Sequence, residues 1–387
     1  MPGPSDRSAV ASRMPVLEID RAALQANWRT LAARQPGART GAAVKADGYG
    51  LGAADVATAL HQAGCRDFFV AWASEGVAVR EALARAGLDS GGAATRIYVL
   101  QGLEAATVAL HLAHDLVPVL STPDDVACWR DGTSAAASRV PAALQLETGM
   151  NRLGLGEADA RHAAALHAAG DLPLCLVMSH LASADEPTAQ SDDQLQRFLA
   201  LSALFPGVPR SLANSAGVFL GPGFGFDLTR PGIGLYGGSA GPRSTGVLQP
   251  VARLTAAILQ VRTARAGEVV GYGAAVRLER NTRIATVGIG YADGLPRAAS
   301  GAGIALRPLC PAADALLAGQ RVPVIGRISM DMTLLDVSAL PEGGVQPGDR
   351  VEFFGPGVAI DDVAAAAGTI AYEILTGMGR RVARHWT

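Results

Sequence analysis

One side chain stands apart by its type. Of the 33 lysines and arginines in this 387-residue chain, one is lysine, Lys45, which leaves 32 arginines. A guanidinium supplies charge and stays protonated. A primary amine whose pKa is lowered by burial or by a neighbouring cation can attack an aldehyde and form an imine. A lone amine in a chain that otherwise uses arginine is a candidate for covalent chemistry. The plain alternative is a chance survivor of an arginine-favouring composition. Other reactive or ligand-holding side chains fall in short polar runs that close apolar ones. Lys45 is followed by Ala46-Asp47-Gly48-Tyr49-Gly50-Leu51-Gly52. Thr148-Gly149-Met150-Asn151-Arg152, His180, Asn214-Ser215 and Arg230-Pro231-Gly232-Ile233-Gly234 each end a further apolar run.

The elements that would position these residues follow from periodicity. From about residue 16 to 237, short apolar runs alternate with amphipathic, alanine-rich stretches. The runs Ala42–Lys45, Asp67–Trp72, Arg96–Leu100, Leu116–Leu120, Ala142–Leu146, Leu174–Ser179, Ser211–Asn214 and Phe226–Arg230 predict strands. Their near-continuous apolar character suits parallel strands covered on both faces. Helix patterns lie between them at Ala53–Ala63, Ser74–Ala86, Leu103–Leu112, Pro123–Arg130, Glu157–Ala169 and Gln190–Leu204, with Thr122 as a cap before Pro123. Eight strands with intervening helices predict an α/β fold, a (β/α)8 TIM-type barrel over residues 13–240. Gly237-Gly238-Ser239-Ala240-Gly241-Pro242 reads as a linker. Beyond it, residues 241–387 predict a mainly antiparallel β domain. Its strands are Val251–Val261, Arg283–Ile289, Val322–Ile325, Thr333–Val337 and Arg350–Phe354, and Ile360–Met378 reads as helical.

In such a barrel the chemistry sits at the carboxyl ends of the strands. One amine, two arginines, a histidine and a Ser/Gly set would then face one mouth. The loops after strands seven and eight often hold phosphate on backbone N–H groups, a role that suits Ser215, Gly232 and Ile233. An imine-forming lysine beside a phosphate cradle is the signature of pyridoxal phosphate. Each residue alone has a plainer reading: a salt-bridged lysine, a core histidine, ordinary glycine turns. Their joint placement is what points to a site.

Several segments, taken in order, carry a resemblance. They are Val44-Lys45-Ala46-Asp47-Gly48-Tyr49-Gly50, Glu147-Thr148-Gly149-Met150-Asn151-Arg152-Leu153-Gly154, Ser179-His180-Leu181-Ala182-Ser183-Ala184-Asp185, Asn214-Ser215-Ala216 and Arg230-Pro231-Gly232-Ile233-Gly234-Leu235-Tyr236-Gly237. In the second half they are Gly271-Tyr272-Gly273, Gly288-Ile289-Gly290-Tyr291-Ala292-Asp293-Gly294, Gly326-Arg327-Ile328-Ser329-Met330-Asp331 and Tyr372-Glu373. From Val16 to about Arg384 the chain resembles the alanine racemases, pyridoxal-phosphate enzymes of fold type III.

The resemblance implies a residue set. Lys45 would hold the cofactor and act as one acid–base group, with Tyr272 as the other on the opposite face of the substrate. Tyr272 would come from a partner subunit, which implies a homodimer with shared active sites. A free tyrosine titrates near ~10; His180 and Arg152 would orient and electrostatically bias the phenol and the cofactor's phenolate oxygen. Arg230 would meet the pyridine nitrogen and, unable to give up its proton, keep that nitrogen neutral. Tyr49, Ser215, Gly232, Ile233 and Tyr372 match positions around the phosphate, and Asn214 is a further cofactor-binding position. Arg152, Met330, Asp331 and Arg327 match the substrate side and entrance, and Tyr291 and Arg297 the gate. Leu51, Gly48 and Glu147 depart from the commoner residues. So does Gln145, where many relatives have a carbamylated lysine that orients the arginine matched by Arg152. An anion or the glutamine amide itself is expected to fill that space.

Bulk properties narrow the alternatives. Net charge is −2, with 49% hydrophobic and 18% charged residues, and no basic stripe favours nucleic acid or an anionic membrane. Cys65, Cys128, Cys175 and Cys310 are scattered without zinc-ligand spacing and read as small buried hydrophobes in a reducing compartment. The opening MPGPSDRSAVASRMP lacks a signal-peptide apolar stretch, and a cytoplasmic protein is expected. Three rival activities remain. They are a broader-specificity racemase acting on serine, for example, a decarboxylase or aldolase on the same barrel, and a non-enzymatic pyridoxal-phosphate-binding protein. The second-half motifs weigh against the last two.

Overall fold

The computed structural model describes residues 13–88, 95–134, 140–300 and 313–387. They form two compact units: residues 24–249, and residues 13–23 together with 250–387. Cys310 lies outside the described residues.

The first strand, β1 (Val16–Ile19), belongs to the second of these units. Helix Arg21–Ala33, which the sequence reading missed, follows it. The barrel begins with β2 (Arg39–Thr40) and β3 (Ala42–Ala43), two pieces of one extended segment parted at Gly41. A Cβ at Gly41 would sit 2.8 Å from the Asp67 carbonyl oxygen and 2.9 Å from the Phe69 ring, so glycine lets the strands close up here. A parallel sheet runs in chain order from β3 through β4 (Asp67–Val70), β5 (Arg96–Val99), β6 (Leu116–Leu120), β7 (Ala142–Gln145) and β8 (Leu174–Met178) to β9 (Arg210–Ser211). The eighth strand, β10 (Leu228–Thr229), pairs in parallel with β2. Gly41 N donates to Thr229 O and Ala43 N to Pro231 O, both at 2.9 Å. On the other side Asp227 N bonds Arg210 O at 3.0 Å and Arg230 N bonds Ala213 O at 2.9 Å. The sheet therefore closes on itself.

Strands β4 and β7 are buried at every position, which accounts for their unbroken apolar sequence. β9 and β10 are shorter than expected. Asn214 turns the chain away by accepting from Gly217 N at 2.9 Å. The Thr122 cap is present: its hydroxyl accepts from Asp125 N at 3.0 Å, and the Asp125 carboxylate accepts from Thr122 N at 3.0 Å. At the strands' starting ends Asp67 is buried, bonded to Arg39 at 2.9 Å and to the Tyr98 hydroxyl at 3.2 Å. This polar plug lies at the end opposite the candidate chemistry. Cys65 is buried, while Cys128 and Cys175 are only half-buried. Among the described residues no helix is long and apolar enough to cross a membrane.

The second unit is built on β11 (Ala252–Ala264), β12 (Val269–Val270), β13 (Val276–Arg277), β14 (Thr282–Val287), β15 (Asp314–Leu317), β16 (Gln320–Pro323), β17 (Thr333–Asp336), β18 (Arg350–Phe354) and β19 (Ala383–Trp386). The main path is β16-β15-β18-β11-β1-β19, with β14 on β11 and β17 on β14. β11 serves both halves of this sheet. Its first half pairs with β1 and β18, and from Ile258 onward, across a bulge between Ile258 and Gln260, it pairs with β14. All pairs are antiparallel except β1 with β19, where Val16 lies opposite Ala383.

By its contacts Val16–Ile19 groups with the second unit, hydrogen-bonded between β11 and β19, and the contact division falls at Gln249/Pro250. The helix expected over Ile360–Met378 is two, Ile360–Ala367 and Ala371–Thr376, parted by Gly368 at φ 67°.

Candidate active site

Lys45 follows β3 at the carboxyl end of the barrel strands. The residues after it take an unusual path: Ala46, Asp47, Gly48, Tyr49 and Gly50 all have φ between 54° and 80°. A left-handed conformation costs roughly 1–2 kcal/mol for each residue bearing a Cβ, so this turn needs outside support. Asp47 accepts from Ala53 N at 2.8 Å, Gly48 N donates to Val44 O at 2.9 Å, and Ala46 N donates to Glu75 at 2.8 Å. The turn leaves the Lys45 side chain accessible. Desolvation by the surrounding wall lowers its pKa below that of an ordinary lysine. The charge of Arg152 lowers it further, and Glu75 opposes both.

Arg152 rides on a loop that leaves β7 and returns to it. Leu155 N donates to Gln145 O at 2.8 Å and Glu147 N to Leu155 O at 3.0 Å. Inside the loop the Glu147 carboxylate accepts from Gly149 N and Met150 N, the latter at 2.8 Å. Burial works to raise its pKa, but bonds from the backbone of Asn151, Gly149, Met150 and Arg152 hold it below 4.5. Its stabilising effect is thus full above the unfolded value and is lost as pH falls through the lowered one. In thermal melts, Glu147→Gln should be less stable than the parent at pH 7, and the gap should shrink by pH 3. The buried Gln145 amide donates to Leu153 O at 2.9 Å. That bond lies within the loop that carries Arg152.

His180 and Arg230 lie deeper. The Arg230 guanidinium donates to the Ser211 hydroxyl and to Ser179 O, with Leu212 O at 3.5 Å. It is 6% exposed, and no carboxylate among the described residues pairs with it. Burial alone pulls its pKa down to about 9, which still leaves it cationic at neutral pH. Burial, then Arg230, Arg152 and Lys45, push His180 down to about 3. His180 is therefore a neutral imidazole. In that form it can orient a partner by hydrogen bonding.

Beside them Ser215, buried, accepts from Gly232 N at 2.8 Å and Gly234 N at 3.2 Å. A Cβ on Gly232 would lie 2.2 Å from the Tyr49 hydroxyl, and the Tyr49 ring stacks on Tyr236 at 4.4 Å. Ile233 opens the short turn Ile233–Tyr236. The Asn214 amide is spent on fold contacts, donating to Leu181 O at 3.2 Å and accepting from Gly217 N. Sequence reasoning missed Gln194. It donates to Thr148 Oγ1 at 3.2 Å and His180 O at 2.9 Å, tying the Arg152 loop to the strand end bearing His180. A buried glutamine in an amphipathic helix was its only signal.

The remaining expected residues lie in the β unit. Tyr272 is at the tip of the hairpin formed by β12 and β13, between Gly271 and Gly273, both at positive φ, and is 71% exposed. Arg327 packs beneath it: a Cβ on Gly273 would lie 2.9 Å from its guanidinium. Tyr291 N bonds Ser329 O and Ala292 N bonds Met330 O, both at 3.0 Å, which brings Tyr291 and Met330 together as exposed neighbours. Asp331 pairs with Arg381 at 2.9 Å, and Arg381 also holds Asp293 at 3.0 Å. Arg297 is exposed on a single turn, Arg297–Ala299. Tyr372 is 37% exposed on helix Ala371–Thr376.

A closed parallel barrel whose mouth sets one accessible amine among guanidinium groups, followed in the chain by an antiparallel β unit, defines a class of lysine-based barrel enzymes. Sequence similarity narrows the class. Residues 19–240 match the alanine racemase N-terminal domain and residues 251–386 the alanine racemase C-terminal domain, so the chain belongs to the alanine racemase family. It is 46% identical over 372 residues to an alanine racemase of Rhizobium meliloti, covering 95% of each chain. The crystal structure of alanine racemase from Bartonella henselae with covalently bound pyridoxal phosphate superposes with a TM-score of 0.87 at 33% identity, over 97% of this chain and 99% of that one. The biosynthetic alanine racemase of Pseudomonas aeruginosa gives 0.83 at 36% identity, over 97% and 99%.

Proposed function

We propose that this chain interconverts L- and D-alanine with pyridoxal phosphate held at the barrel mouth. One observation carries the reading. The chain's single lysine amine, with a lowered pKa, shares a mouth with Arg230, a buried guanidinium that lacks a carboxylate partner among the described residues. The residues fit the cofactor. The lack of a Cβ at Gly232 lets the Tyr49 hydroxyl pack against that turn, and Ser215 gathers the turn's backbone. When bound, the cofactor supplies an aldehyde for an amine and a conjugated ring that makes the substrate's α-proton more acidic.

Lys45 would hold the aldehyde. Tyr49, Ser215, Gly232, Ile233 and Tyr372 would surround the phosphate. Arg230 would donate to the ring nitrogen without surrendering a proton, which disfavours transamination. Inversion needs a proton to leave one face of the α-carbon and another to arrive on the opposite face. Lys45 serves one face and Tyr272 the other, exchanging acid and base roles with the direction of reaction. Tyr272 would come from a second copy of the chain. Its ring is left outward at a hairpin tip, in a unit that also exposes Tyr291 and Met330. Arg152, Met330 and Asp331 would receive the substrate carboxylate, with Tyr291, Arg297 and Arg327 at the entrance.

The test is borohydride reduction followed by peptide mapping, run beside a polarimetric assay with L-alanine. The reduced cofactor is expected on the Lys45 peptide, together with loss of optical rotation. A cofactor adduct anywhere else ends the proposal. Gly232→Ala adds a methyl where the Tyr49 hydroxyl stands, and should weaken cofactor retention about tenfold or more, read by fluorescence titration. Wild-type affinity in that variant would remove Gly232 and Tyr49 from the cradle.

A further inference from the structure

Glu75, the third residue of helix Ala73–Arg85, divides its carboxylate between two elements. Oε2 accepts from Ala71 N at 2.7 Å and Trp72 N at 3.2 Å, at the start of its own helix just after β4. Oε1 accepts from Ala46 N at 2.8 Å, the first backbone N–H beyond Lys45. One side chain thus ties the end of the second barrel strand to the turn that carries the amine. That turn is the left-handed run Ala46–Gly50, a conformation that persists only where its surroundings over-determine it. Asp47 secures the far side through Ala53 N, and Glu75 secures the side next to Lys45.

We propose that Glu75 is a positioning residue for Lys45, its carboxylate fixing the turn that aims the amine. This rests on the reading that Lys45 bears the cofactor. The charged groups facing Lys45 are Arg152 from the loop after β7 and Glu75 from the helix after β4. Neutral His180 follows β8 with Arg230 behind it, and Asp47 lies on the turn itself. Glu75 is the acid that opposes Arg152 at the amine. An amide cannot replace it, because glutamine offers acceptors at one end only and would set an NH2 group against a backbone N–H at the other.

The test uses the holoenzymes of Glu75→Gln, Glu75→Asp and Glu75→Ala, each first checked for folding by thermal melting. Three quantities are read: kcat and KM for L-alanine, the pH profile of kcat/KM, and the rate at which hydroxylamine strips the cofactor. Glu75→Gln should lower kcat about ten- to a hundred-fold while KM moves less than about threefold. Its cofactor should be stripped several-fold faster, and the acid limb of its profile should move to lower pH as the opposing charge is lost. Glu75→Asp, which keeps both acceptors on a shorter stem, should fall between the parent and Glu75→Gln. If Glu75→Ala does not fold, the other two variants decide. Glu75→Gln matching the parent in all three readouts overturns the proposal. Borohydride label on wild-type Lys45 would confine that failure to Glu75; label elsewhere would sink the Lys45 reading and this one with it.

Discussion

Lys45→Ala is expected to lower kcat by about 10^4 or more and to abolish the borohydride-stable adduct. The size follows from two losses at one position. General acid–base participation by a positioned side chain is worth about 10^2 to 10^4, and the imine that fastens the cofactor disappears as well. No second lysine exists to substitute. The nearby cation, Arg152, is a guanidinium that neither forms the imine nor takes up a proton. Lys45→Arg should therefore fail as completely as Lys45→Ala, which separates the amine's chemistry from its charge. Lys45 is exposed, so the melting temperatures of both variants, compared as apoproteins, should stay near the parent's. Either variant retaining kcat within tenfold, measured by polarimetry, would place the chemistry elsewhere.

Tyr272→Phe should reduce racemisation about 10^2- to 10^4-fold while leaving half of the proton traffic intact. With the phenol gone, Lys45 still exchanges the α-hydrogen on its own face. In heavy water one enantiomer of alanine should therefore lose its α-proton signal without inverting. Proton NMR reads the exchange and polarimetry the inversion. A ring that is 71% exposed loses little packing with its hydroxyl, so stability should change by less than about 0.5 kcal/mol. The same variant tests the shared site. Mixed dimers of Lys45→Ala and Tyr272→Phe chains would carry one mouth with both groups intact and one with neither. Equal mixing should restore about a quarter of the parent activity from two inactive proteins. A mixture that stays inactive would mean that both groups come from one chain. Tyr272→Phe at full turnover would remove the second base altogether.

Much of the barrel was legible because its strands are buried on both faces and so carry unbroken apolar runs. Helix Ala53–Ala63 was bounded as read, and Pro123 with the Thr122 cap marked the start of helix Pro123–Thr133. The side chains at the mouth were legible for a related reason: polar residues that end such runs have nowhere else to go. What escaped was set by pairing at long range. Val16–Ile19 has the composition of a barrel strand, and only its bonds to residues more than two hundred positions away assign it to the other sheet. The lowered pKa of His180 was likewise invisible, since it depends on burial and then on three cations brought together by different parts of the barrel. Glu75 and Gln194 read as ordinary helix polar residues, because nothing local reveals that their acceptors or donors serve a neighbouring loop.

The seat of β1 between β11 and β19 has a consequence for synthesis. Residues 24–249 hold every strand of the barrel and can close as they leave the ribosome. The other sheet needs an inner strand made before the barrel and a neighbour made well after it. The opening segment must wait, unpaired, through the manufacture of the whole barrel; β11 then follows directly, and β19 comes only after the rest of the second sheet. A fragment begun at the apparent linker would be born without the strand that seats β19 on the rest of its sheet.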